Sequence, residues 1–197
     1  RIVRVGAGPR AGPAEDLGDV AVLPALVNAH THLELSWLAG RVPPAASMVE
    51  WIRRLIRERA HGPTGGPTGA EEFVARAATA LHASGTALIG DISNTLGAVS
   101  ALDALGIGGV VFHELLGFNP PDPHTQVRDA WARVTAAENR HRESVFESSA
   151  PRTDSRCRFS FSVVAHAPYS ASPALFTEIA RSAREAPLSV HLGESPE

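Results

Sequence analysis

Apolar residues fall along this chain in two alternating rhythms. Short runs that are apolar almost throughout, "VAVLPALVNA" (20–29), "TALIGDIS" (86–93), "GVVFHELL" (109–116), "FSFSVVAH" (159–166) and "LSVHLG" (188–193), have the length of buried strands. Between them, apolar positions recur at three- and four-residue spacing over 48–60, 71–84, 96–105, 124–142 and 172–184, which predicts helices. Gly85 and Gly106 stand where two of these helices should stop. Ser172 before Pro173 reads as an N-cap followed by proline at the first helical position. Two stretches, "HGPTGGPTG" (61–69) and "ESSAPRTDSR" (147–156), read as loops.

A β-α-β-α order whose strands are apolar along their whole length predicts a parallel sheet covered by helices, hence an α/β barrel or a doubly wound sheet. No Gly-x-Gly-x-x-Gly follows the first strand, which weakens the dinucleotide-binding version. Polar residues gather instead at the C-terminal ends of the strands: His30 and His32, Asp91 and Asn94, His113 and Glu114, His166, His191 and Glu194. In a parallel barrel that edge carries the chemistry. Five βα units fit into 197 residues, whereas a closed eight-stranded barrel typically takes ~250. The expectation is either an open five-stranded sheet or a piece of a longer barrel.

Composition narrows the choice of partner. With a formal charge of −3 and the two signs interspersed, there is no basic stripe for nucleic acid and no polybasic cluster for anionic lipid. No apolar segment approaches the ~20 residues of a membrane helix, and "RIVRVGAGPR" lacks the apolar core of a signal peptide. The single cysteine, Cys157, has no partner for an internal disulfide. These features predict a cytoplasmic protein acting on a small molecule. All 18 basic residues are arginine, which removes Schiff-base chemistry, a P-loop lysine and any lysine-derived metal ligand.

The candidate chemistry begins at "LVNAHTHLELS" (26–36). Side chains at i and i+2 of a strand share a face, so His30 and His32 project together. Two imidazoles at a strand end can chelate one divalent ion, and a third histidine, His191, closes the last apolar run. Three histidines leave a coordination position open for water, the pattern of a catalytic zinc site.

"LPALVNAHTHLELS" resembles the first-strand motif of the amidohydrolase superfamily, in its deaminase and chlorohydrolase branch, and "VHLGES" resembles that branch's fifth-strand His-x-x-Glu motif. "VVAHAPYSASPALF" is similar to the segment after the fourth strand, where the family keeps a His-x-Pro-Tyr context. The "HTHLELS" form is similar to an aminodeoxyfutalosine deaminase subgroup. The resemblance implies the first five units, residues 20–197, of a distorted (β/α)8 barrel of the TIM type, with residues 1–19 as a remnant of an N-terminal β-sandwich. It implies His30, His32 and His191 as metal ligands, Glu194 as the acid/base residue, and His166 as a substrate contact. It further implies one divalent ion, zinc first and Fe2+ second, because this chain lacks the lysine that bridges two metals in other members. A homodimer is the expectation for a full-length form.

The resemblance also implies a sixth-strand histidine and an eighth-strand aspartate, and the chain ends at Glu197. The sequence therefore reads as truncated at both ends and inactive alone. Glu34 and Trp37 are candidates to line the substrate pocket if strand geometry persists past His32. Of His113 and Glu114, alternation sends one inward and one outward without saying which. Asp91 reads as a structural acceptor. His61, His82, His124 and His141 read as solvated, as do Arg53, Arg54, Arg57 and Arg59 on the first helix. The functional expectation is metal-dependent deamination of an aminated purine nucleoside or related heteroaromatic ring. The alternatives are a triazine-type chlorohydrolase or aminohydrolase, and a non-catalytic remnant that at most binds metal.

Overall fold

The computed structural model describes residues 5–6, 12–63, 66–147, 158–183 and 185–194. Four parallel strands lie side by side in chain order, β1 (Leu26–Thr31), β2 (Thr86–Ser93), β3 (Gly108–Leu115) and β4 (Phe159–Ala165). Helices fill the connections: α1 (Met48–His61) and α2 (Gly66–Ala83) after β1, α3 (Val99–Ala104) after β2, α4 (Pro123–Glu147) after β3, and α5 (Pro173–Ala183) after β4. This is the expected partial (β/α)8 architecture, and its helix boundaries follow local chemistry. Ser47 Oγ accepts from Glu50 N at 3.2 Å to open α1, and Ser172 Oγ accepts from Leu175 N at 3.1 Å to open α5. Gly85 and Gly106 take φ of 83° and 74° beyond α2 and α3, conformations that favour glycine.

The sheet has two distinct faces. Ile89, Val111, Phe161 and Val163 pack with Leu102, Val134, Leu175 and Ile179 of the helices in the main core. On the opposite face Ile92, Phe112 and Val164 form a smaller cluster with Val110. Alternation along each strand thus divides helix-facing from barrel-facing residues. Glycines allow the strands to approach: a Cβ on Gly90 would lie 2.3 Å from the Ala29 carbonyl oxygen, a distance no side chain tolerates.

Three expectations need correction. The first strand begins at Leu26, not at residue 20, because Pro24 offers no N–H and the first ladder contact is Leu26 N to Gly85 O at 2.9 Å. The fifth expected strand, 188–193, is irregular; one bond, His191 N to His166 O at 2.8 Å, ties it to the end of β4. His141 is buried on α4 with its ring edge-on to Phe159 at 5.4 Å, not solvated. The helices also reach further than their periodicity suggests: α2 starts at Gly66 inside an expected loop, and α4 continues to Glu147. Cys157 and most of the expected loop 147–156 lie outside the described residues, as does much of 1–19, whose described part contains no strand.

Candidate metal centre

β1 delivers His30 and His32 to the C-terminal edge of the sheet, one at the penultimate residue of the strand and one just beyond it. The segment after α5 brings His191 to the same point across the end of β4. The Nε2 atoms of His30 and His32 are 3.3 Å apart, and those of His32 and His191 are also 3.3 Å apart. Zinc–nitrogen bonds of ~2.0–2.1 Å at tetrahedral angles place neighbouring ligand nitrogens ~3.3 Å apart. The donor set therefore fits a single divalent ion in both identity and spacing.

The electrostatics of the rings agree with that fit. Burial pushes the His32 imidazole down to about 4, with the His30 and His191 rings adding to the effect. Burial and His191 lower His30 in the same direction. Neutral imidazoles are the form that ligates, and each carries only one N–H. A divalent cation is the species that satisfies three converging lone pairs at once.

Around this triad lie three further groups. His166 follows β4; its ring centre is 4.7 Å from that of His191, and its Nδ1 sits 2.6 Å from Ser170 Oγ. Backbone bonds between the loops after β3 and β4, Gly117 N to Ser170 O and Ser172 N to Gly117 O, both 2.8 Å, hold that segment. Burial, reinforced by His191, lowers the His166 pKa. Glu194 places Oε1 2.9 Å from His191 Nδ1 and accepts from the Tyr169 hydroxyl at Oε2. Loss of water around the Tyr169 hydroxyl and its bond to Glu194 push the phenol up to about 12, so it remains a donor.

Glu114 resolves the ambiguity at the end of β3. Its Oε1 lies 3.4 Å from His191 Nε2, while His113 turns to the opposite face and meets the Ser93 carbonyl through Nδ1 at 3.3 Å. Burial pushes Glu114 up to about 7, with Arg59 of α1 pulling the other way. Glu114, His166 and His191 form a second group of closely spaced donor atoms sharing His191.

Glu34 and Trp37 sit differently from the expectation. The chain leaves strand geometry at Leu33 and enters a 3-10 turn over Leu33–Leu38. The Glu34 carboxylate accepts from Ser93 Oγ, Asn94 N, Thr95 N and Thr95 Oγ1 at 2.8–3.0 Å, clamping the first turn to the end of β2. Burial raises its pKa, but these bonds prevail and leave it below the ordinary value. Trp37 is buried against the core, and both residues line a cavity of about 240 Å³ with Arg59, Val74 and Thr95. Tyr169 and Glu114 are the site residues that sequence reasoning missed. Tyr169 follows His166 within "AHAPYS", and for Glu114 strand alternation leaves the choice of face against His113 open.

The amidohydrolase family's sequence profile matches residues 21–197. No curated protein matches the chain in sequence. Among solved structures, aminofutalosine deaminase from Helicobacter pylori in complex with methylthio-coformycin is similar at 22% identity and a TM-score of 0.64, covering 87% of this chain and 38% of its own. An adenosine deaminase from Xanthomonas campestris with bound zinc matches at 22% identity and a TM-score of 0.61, over 88% and 37%. A variant of atrazine chlorohydrolase from Arthrobacter aurescens TC1, complexed with zinc and atraton, matches at 17% and 0.62, over 88% and 41%. At these identities the likeness is one of fold. The chain spans about two fifths of the length of these structures.

Proposed function

The chain belongs to the amidohydrolase family, and from that premise we propose that it carries the metal-binding part of a hydrolase that deaminates an aminated purine nucleoside or a related heteroaromatic ring. The observation that supports this reading most is the convergence of three imidazoles, with His32 Nε2 3.3 Å from the Nε2 atoms of both His30 and His191, beside a carboxylate. His30, His32 and His191 would hold one divalent ion, zinc by the donor set. Such an ion supplies Lewis acidity that brings the pKa of water toward ~7.

The chain's own groups would do the rest. Glu194 keeps lone pairs beyond those engaged by Tyr169 and His191, and is placed to accept a proton and return it to the departing amine. His166, oriented through its Nδ1 by Ser170, presents the other ring nitrogen to a substrate. A second reading, displacement of chloride or an amine from a triazine, is supported by the likeness to atrazine chlorohydrolase, since both reactions attack a ring carbon bearing a leaving group.

The test is a panel of adenosine derivatives, guanine, cytosine and triazines offered to a polypeptide that includes these motifs at the length of the similar structures. Ammonia release from the adenine nucleosides is expected; chloride release alone from triazines would replace the first reading by the second. The 197-residue chain loaded with zinc is expected to release no ammonia. The resemblance implies a sixth-strand histidine and an eighth-strand aspartate for the complete site, and ammonia release by this chain alone would overturn that expectation.

A further inference from the structure

His30 and His32 are aimed by a strand; His191 is not. Its segment is irregular and, among the described residues, is held to the sheet by one backbone bond, from His191 N to His166 O at 2.8 Å. Something else must fix the direction of its ring, because a ligating imidazole has to present a bare nitrogen. Two carboxylates compete for its one N–H. Glu114 lies 3.4 Å from Nε2, the nitrogen that faces His32, and Glu194 lies 2.9 Å from Nδ1 on the far side. If the proton sits on Nε2, the ring donates to Glu114 and its ligating lone pair is lost. If it sits on Nδ1, the ring donates to Glu194 and Nε2 is bare toward His30 and His32. Glu194 is itself held on its other oxygen by the Tyr169 hydroxyl, from the loop after β4.

We infer that Tyr169 and Glu194 form a positioning relay that selects the Nδ1–H form of His191 against the pull of Glu114. Glu194 therefore serves metal retention in addition to proton transfer. A hydrogen-bonded carboxylate behind a ligand histidine fixes both tautomer and ring orientation, and removing such a partner typically lowers metal affinity ~10–100-fold. Among the described residues the other two ligands lack an equivalent. Ser189 Oγ is 3.5 Å from His30 Nδ1, and His32 Nδ1 is buried without a hydrogen-bond partner. The relay is thus concentrated on the one ligand whose backbone does not orient it. The inference rests on the metal reading proposed above.

The experiment uses the 197-residue chain, with zinc affinity measured by competition against a chelating dye and the His191 tautomer read from ring 15N shifts in the zinc-free protein. Glu194→Ala should weaken zinc ~10–100-fold and move His191 toward the Nε2–H form. Glu194→Gln, whose amide oxygen still accepts from Nδ1–H, should restore most of both. Tyr169→Phe should fall between them. Glu194 is exposed, so the remaining amide spectrum should stay unchanged. Unaltered zinc affinity and unaltered tautomer in Glu194→Ala would overturn the relay. Failure of the unsubstituted chain to bind zinc would overturn the metal reading itself, a distinguishable result.

Discussion

Asp91 and Glu34 show how one short contact region can push two carboxyls in opposite directions. Burial drives Asp91 up to about 7, opposed only by the Leu33 N–H at 3.0 Å, and its Oδ2 has no hydrogen-bond partner. Its folded pKa exceeds the unfolded value of ~3.9, so its contribution to stability is complete below about pH 4 and is lost as pH rises toward 7. At ~1.36 kcal/mol per unit the loss is about 4 kcal/mol. Asp91→Asn keeps an acceptor for Leu33 and should flatten the fall of Tm across that window; a variant that keeps the wild-type slope would contradict the assignment. Glu34 works with the other sign. Its hydrogen bonds outweigh burial and depress its pKa, so its contribution is present above about pH 4.5 and is lost on acidification. Glu34→Ala, which strands two backbone N–H groups and two hydroxyls, should cost about 2 kcal/mol in urea unfolding at pH 7. At this scale the sequence was legible where spacing alone decided: His30 and His32 share a face by period two. It was not legible at Glu34, because the 3-10 turn beginning at Leu33 comes from bonds to β2, some sixty residues away. Nor was it legible at His113 and Glu114, since alternation gives the period of a strand and not its phase.

The elements were readable in kind and less so in extent. Buried runs named β2, β3 and β4 because each is covered on both faces, and glycine and serine–proline signals marked helix ends. The first strand is shorter than its composition suggests, because residues 20–23 look like strand but meet no ladder. The expected fifth strand has the composition of one, yet among the described residues a single backbone bond stands where a ladder would be. A consequence concerns Gly90, which lets β1 approach β2. Its missing Cβ would otherwise press on the Ala29 carbonyl, one residue before His30. Gly90→Ala should displace β1 and reduce zinc affinity at least tenfold while the β2–β3–β4 ladder persists, since that ladder makes its own bonds. Native zinc affinity in this variant would mean that β1 adapts without moving its histidines.

As a whole molecule, the described chain is an open sheet with β1 and β4 at its edges. Val22 and Leu23 before β1, Leu26 and Val27 at its start, and Leu188, Val190 and Leu192 beyond α5 are exposed apolar residues at or near those edges. Unpaired strand edges next to apolar surface promote association, so the chain should self-associate as its concentration rises in light scattering, and a monodisperse monomer throughout would count against this. Among the described residues no helix is long and apolar enough to cross a membrane. The central claim is that His30, His32 and His191 form one site for one divalent ion. Equilibrium zinc binding at neutral pH, on the chain and on His30→Ala, His32→Ala and His191→Ala, tests it most directly. The account predicts one ion per chain, with each substitution weakening it by more than the ~10–100-fold expected for an outer partner. A stoichiometry that all three substitutions leave unchanged, at undiminished affinity, would contradict it.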